Sequence, residues 1–131
     1  NDKNDIPFEM RDTNYNDSNL EQVYFKIIDL IKKEKLFINP ELKIMDLAIH
    51  LDIHPNLASK AINHISKANF YDLVNKMRVE EFINNAKSAD ANKYTIIAMA
   101  FDAGFNSKAT FNRAFKKFTG KNPKDFLSES K

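Results

Sequence analysis

Two stretches of this chain repeat each other, and that leaves few folds open. Leu47-Ala48 pairs with Met99-Ala100 at an offset of 52 residues. Four residues after each alanine come Asp52 and Gly104, followed by the apolar Ile53 and Phe105. The second copy then gains one residue. At an offset of 53, Ala58, Ile62 and Ile65 pair with Phe111, Phe115 and Phe118. Lys67 pairs with Gly120, Asn69 with Asn122, Asp72 with Asp125, and Leu73 with Phe126. Each copy reads as a short helix, a tight turn, a second helix and a stop, which is the plan of a helix-turn-helix unit. The competing reading is a generic helical bundle, whose short antiparallel helices can mimic the pattern; the repeat favours the first.

The rest of the chain agrees with an all-α fold of two such units. Only 2 of the 131 residues are Gly, which argues against turn-rich sandwiches and barrels and against Gly-rich phosphate loops. Both glycines fall at turn or cap positions, where positive φ is expected. Apolar residues at Leu20, Val23, Ile27 and Leu30/Ile31 recur at helical spacing, so an N-terminal helix is expected over 18–35, with Ser18 and Glu21 as its capping box. Asn39-Pro40 breaks the chain. Short helices follow at 43–51 and from Pro55, placing the first helix-turn-helix at about 43–66. A long linker helix spans about 70–86, then a connector covers Asp90 to Lys93. The second helix-turn-helix runs from about Thr95 to Thr119, where Gly120 stops it. A last short helix at Asn122-Pro123 holds Phe126 and Leu127. Residues 1–17, rich in Asn and Asp, read as a flexible linker or tail.

Charge is uneven along the chain. The formal net charge is +2, yet residues 1–18 carry −3 and residues 95–131 carry +4. No acid occurs between Ser107 and Lys121. At 100° per residue, Phe111, Ala114, Phe115 and Phe118 form one stripe, and Ala109, Asn112, Arg113 and Lys116 lie opposite, with Lys108 on the flank. In the first copy Ala58, Ala61, Ile62 and Ile65 face inward, while Asn56, Ser59, Lys60 and Asn63 face outward. Amides suit adenine edges, and Arg or Lys suits guanine O6 and N7. No carboxylate sits on either outward face to repel phosphate. A basic stripe on a compact element is the footprint of a polyanion binder; the alternative is a helical protein-interaction module with a solvated basic face.

The stretch from Thr95 to Phe126, TIIAMAFDAGFNSKATFNRAFKKFTGKNPKDF, closely resembles the signature of the AraC/XylS family of bacterial transcription regulators. The matching pieces are Ala100, Gly104-Phe105, Ser107, Phe111, Arg113, Phe115-Lys116-Lys117, Thr119-Gly120 and Pro123. The first copy resembles the N-terminal half of the same domain, and together they cover about 36–128. The resemblance implies recognition helices at about 55–65 and 107–118. It places Asn56, Ser59, Lys60, Lys108, Ala109, Asn112 and Arg113 where the family contacts DNA. Asn63, Lys116 and Lys117 join them from the outward faces and the basic run. Two reading helices in one chain are expected in successive major grooves, about 34 Å apart. Four positions depart from the family pattern, all in the first unit: Lys43 for a capping Ser or Thr, Asp52 for the turn Gly, His54 for a helix-starting Ser, and Ala58 for a core Leu. Duplex DNA is the implied partner, with RNA polymerase and the sensor region of a longer parent protein as further partners. The first residue is Asn rather than Met, so the chain is read as part of something longer. A cytoplasmic location is expected, with a parent protein that can be membrane-anchored.

Other chemistry finds little support. With no cysteine, thiol catalysis, disulfides and cysteine-ligated zinc drop out. His50 and His54 are four apart but lie on different elements, since Pro55 marks a helix start. No metal and no cofactor are expected. Glu80 and Glu81 sit one apart and do not face each other, and Arg78 reads as a structural ion-pair partner. Without a nucleophile, base and orienting group, no enzymatic activity is expected. The apolar seam of the N-terminal helix is read as core packing, with dimerisation or sensor coupling as the alternative.

Overall fold

The computed structural model describes residues 16–88 and 93–129. These form α1 (Asp17–Lys33), a 3-10 turn at Leu36–Ile38, α2 (Ile44–Leu51), α3 (Pro55–Ser66), α4 (Phe70–Ala86), α5 (Ile96–Asp102), α6 (Lys108–Thr119) and α7 (Pro123–Glu129). No strand occurs among the described residues, so the fold is all-α, as the repeat requires. The chain divides into two units. One holds the described residues up to Leu36 together with Leu42–Phe70; the other holds Phe37–Glu41 with the described residues from Tyr71 onward.

In the first unit, α1 starts earlier than the sequence suggests. Asn16, not Ser18, caps it, and its Oδ1 accepts from the Asn19 N–H at 2.8 Å. Asn16 has the extended backbone that a cap needs (φ −87°, ψ 173°), whereas Ser18 already lies within the helix. Asp17 thus stands in the first turn and Lys32 and Lys33 in the last, each complementing the helix dipole. Of the expected 1–17 linker, residues 1–15 lie outside the described residues. The seam of α1 is core: Leu20, Ile27 and Ile31 are buried. Leu20 packs with Leu57 and Ala61 of α3, and Val23, Tyr24, Ile53 and Ile65 close around them. Each fully buried Leu or Ile contributes about 1.5–3 kcal/mol.

The departures in this unit are accommodated locally. Lys43 cannot cap with its own side chain, but the Asp46 carboxylate accepts from the Lys43 N–H at 2.9 Å, half of a capping box. Asp52 adopts the left-handed conformation (φ 55°, ψ 49°). The next N–H, on Ile53, then reaches back to Ala48 O at 2.9 Å, closing the helix end. His54 replaces the capping hydroxyl with its ring, Nδ1 accepting from Asn56 N–H at 3.1 Å, and Pro55 opens α3.

The second unit has an aromatic core. Val79 and Phe82 of α4 meet Met99, Ala100, Ala103, Phe105, Phe111, Ala114 and Phe115, with Phe126 and Leu127 at the margin. Phe82 lies 4.9 Å from Phe111 and 5.5 Å from Phe115, and Phe115 lies 5.3 Å from Phe126 at 85°. These tilted and edge-on arrangements match ring quadrupoles better than flat stacking would.

Arg78 differs from its expected role. It is 8% exposed and makes no ion pair among the described residues. Its fork instead donates to backbone and amide oxygens: Nε to Phe37 O at 2.6 Å, Nη2 to Asn39 O at 2.9 Å, and Nη1 to Asn75 Oδ1 at 2.9 Å. Desolvation by burial lowers its pKa from the ordinary arginine value. The sequence reads it as a structural ion-pair partner in the long helix, with Glu80 and Glu81 nearby. The guanidinium instead donates to the Phe37 and Asn39 carbonyls, two backbone acceptors that need a donor.

The repeat extends to hydrogen bonds that the sequence comparison did not reach. Phe105 N–H bonds to Ala100 O at 3.1 Å, the counterpart of Ile53 to Ala48. Ser66 Oγ donates to Ile62 O at 2.6 Å and accepts from Ala68 N–H at 3.2 Å. Thr119 Oγ1 donates to Phe115 O at 2.8 Å and accepts from Lys121 N–H at 3.2 Å. Between each hydroxyl residue and its N–H partner stands a positive-φ residue, Lys67 at 60° and Gly120 at 79°. Helices α3 and α6 therefore end in the same hydrogen-bonded stop.

Candidate nucleic-acid interface

The inward stripe of α3 is Leu57, Ala58, Ala61 and Ile62, all buried. That leaves the opposite face outward. Asn56 and Asn63 are exposed, and Ser59 and Lys60 are half-buried. These four residues line one open depression of about 590 Å³ together with His64 and Lys67. The structure thus brings the expected residues of the first unit onto one surface. It adds two that periodicity left out. His64 lies one turn beyond Lys60, a spacing that could have placed it there. Its partner, Asp17 Oδ1 at 2.8 Å, lies 47 residues away and had no local signal.

In the second unit, Ser107 caps α6, its Oγ accepting from Thr110 N–H at 3.0 Å. Phe111, Ala114 and Phe115 are buried and fix the rotation of the helix. Lys108, Ala109, Asn112, Arg113 and Lys116 are consequently exposed on the far side. Among the described residues no carboxylate pairs with Lys108, Arg113 or Lys116; Arg113 makes only a long contact from Nη2 to Thr110 Oγ1 at 3.5 Å. The outward face of α6 therefore carries, beside an amide, three cations that no carboxylate among the described residues compensates.

Lys117 is placed differently. Its Nζ lies 3.0 Å from Asp72 Oδ2 of α4, with the two side chains 57% and 33% exposed. Lys121, beyond the helix, pairs with Glu129. Asp72 and Asn75 form one side of an open groove of about 710 Å³ whose other side carries Asn112, Arg113, Lys116 and Lys117. The α4 residues were not expected at the site. Asp72 sits where an acid in the first turn of a helix is ordinary, which masks its reach to α6.

What each face can do chemically follows from its groups. The α3 face offers amides, a hydroxyl and a lysine, and the α6 face an amide and cations, suited to hydrogen bonding and charge neutralisation. Among the described residues no group of three or more His, Cys, Asp or Glu is placed to hold a metal ion. His50 is exposed on α2, and His54 caps α3. No described helix is long and apolar enough to cross a membrane.

The comparisons with known proteins fit this geometry. A family model described as a helix-turn-helix domain matches residues 47–129. Among solved structures, the chain is similar to the C-terminal domain of AraT, a response regulator from Geobacillus stearothermophilus. The identity is 24% and the TM-score 0.70, over 84% of this chain and 87% of that one. It is also similar to a protein of unknown function from Listeria innocua, at 20% identity and a TM-score of 0.65, over 79% and 92% of the two chains. No curated protein sequence matches.

Proposed function

The chain belongs to the AraC-type helix-turn-helix family, and from that premise we propose that it reads duplex DNA sequence-specifically through α3 and α6, as the output module of a transcription regulator. DNA binding in transcription regulation goes with the family in general. The finer reading assigns base and phosphate contacts to Asn56, Ser59, Lys60 and Asn63 in the first unit. In the second it assigns them to Lys108, Ala109, Asn112, Arg113, Lys116 and Lys117. The observation that carries it is the outward face of α6, where three cations have no acid among the described residues while the phenylalanine stripe opposite is locked in the core. The role is binding rather than catalysis. RNA polymerase and a sensor region of a longer parent protein are the further partners in this reading.

The test is affinity for duplex DNA as a function of salt. If about four to six cations neutralise phosphates, log affinity falls against log salt with a slope of about −4 to −5. Footprinting should show an asymmetric site, because two different reading helices in one chain, entering successive major grooves, need no two-fold partner. A flat salt response would favour the protein-interaction module instead, and a strictly palindromic footprint bound only by dimers would refute the two-helix mode.

Arg113 offers the sharpest residue-level expectation. Its planar fork projects from a helix whose rotation is fixed by Phe111 and Phe115, and it can pair with guanine O6 and N7. Arg113→Ala should cost about 1–3 kcal/mol on the cognate site and relax preference at one base pair. Selection of binding sites from a random pool, run on both proteins, reads this directly. An unchanged preference with uniform weakening would make Arg113 a phosphate contact. Because Arg113 has no ion pair among the described residues, its loss should leave the melting temperature unchanged.

A further inference from the structure

The two units share an arrangement that DNA binding alone does not call for. Each helix-turn-helix is preceded in the chain by a helix of 17 residues, α1 or α4. From the first turn of each comes a carboxylate, Asp17 or Asp72, that reaches across to the reading helix. The groups they meet are His64 and Lys117. These two are 53 residues apart, the offset that relates α3 to α6, so they occupy the same position in the repeat. The contacts are 2.8 Å and 3.0 Å. Each unit therefore places an acid against the same point of its reading helix, although the residue held there differs.

We propose that Asp72 and Asp17 are affinity-setting residues, carboxylates that occupy the phosphate-facing edge of each reading helix and hold DNA affinity below what its cations would otherwise give. This rests on the DNA-binding reading above. Lys117 belongs to the basic face by sequence, yet in the free protein its charge is already answered by Asp72. A phosphate approaching α6 must displace that carboxylate or remain in its field. The pair is half-exposed, and such pairs contribute little to stability, so stability does not explain why the arrangement occurs twice. The acid reduces the number of phosphates the helix can neutralise, which lowers the sequence-independent part of binding.

The experiment measures binding of the whole chain to a labelled mixed-sequence duplex over a salt series. Asp72→Asn should steepen the log–log slope by about 0.9, which at 0.1 M salt amounts to about eightfold tighter binding. The double variant Asp72→Asn with Lys117→Gln should lose that gain, because the released cation is gone. Glu80→Gln removes one negative charge from an exposed position of the same helix. It should give a smaller gain and no change of slope. Asp17→Asn, at an 83% exposed position, should also tighten binding, and it tests the proposal even if Asp72→Asn fails to fold. Equal affinity and slope for Asp72→Asn and Glu80→Gln, or no gain from Asp17→Asn, would overturn the proposal. A parent chain with no salt-dependent DNA binding would instead overturn the DNA-binding reading itself.

Discussion

Replacing Arg78 with Met should lower the stability of the chain by about 3 kcal/mol, a drop of roughly 10 °C or more in melting temperature. Methionine preserves length and apolar packing but removes all three hydrogen bonds, to Phe37 O, Asn39 O and Asn75 Oδ1. Two effects oppose each other. Burial disfavours the guanidinium charge, which the lowered pKa records, and an apolar replacement relieves that cost. Against this, hydrogen bonds from a charged donor contribute about 1.5–3 kcal/mol each, and an orphaned buried carbonyl costs about 1–3 kcal/mol. Phe37 is only 5% exposed, so its carbonyl has little access to water. Three lost bonds outweigh one relieved charge. Arg78→Lys separates the terms: it keeps the charge but replaces a three-way fork by a single ammonium, so it should be destabilised as well. Denaturant unfolding of both variants checks this. A Met variant as stable as the parent, beside an unstable Lys variant, would show that relief from charge burial dominates.

The helices and their two-unit order were legible because repetition and apolar spacing are written locally. Phe111 and Phe115 face the core where the 3.6-residue period puts them, and the same period predicts the outward set on α6. The cap of α1 was misplaced by two residues because Asn, Asp and Ser at 16–18 are all competent caps, and only backbone geometry selects among them. Contacts between distant segments were illegible. Arg78 stands beside acids in sequence but serves carbonyls about 40 residues away, and nothing in its neighbourhood signals that choice. Asp72 likewise reads as an ordinary first-turn acid, although its partner lies on α6. Side chains that join the ends of separate elements answer to packing, which a single sequence does not print. The first-unit departures were visible as departures. Their remedies, a histidine ring used as a cap and an aspartate in the left-handed region, needed coordinates.

Gly104→Ala should be at least as damaging, costing about 3 kcal/mol or more, because two penalties meet at one Cβ. The first is conformational. Gly104 has φ of +115°, beyond the left-handed well that side chains tolerate. The second is steric and falls on backbone. A Cβ here would lie 2.2 Å from Phe37 O, 2.9 Å from Arg78 Nε and 3.0 Å from Ile38 Cα. The carbonyl it strikes is the one that Arg78 Nε holds at 2.6 Å, so relieving the clash pulls apart that hydrogen bond. The other glycine is the control. Gly120 has φ of +79° with nothing within 4 Å of its Cβ position, so Gly120→Ala meets only the left-handed penalty of about 1–2 kcal/mol. The repeat sharpens the comparison. Asp52 stands at the position equivalent to Gly104 and is tolerated because its φ is 55°, inside the well. Gly104→Asp would copy the first turn into the second and should nevertheless fail, since the two backbones differ even though their hydrogen bonds correspond. Urea unfolding of Gly104→Ala, Gly104→Asp and Gly120→Ala should rank the Gly120 variant clearly the most stable. If the Gly104 variants unfolded no more easily than Gly120→Ala, the close approach of Phe37 to this turn would not be a constraint on the fold.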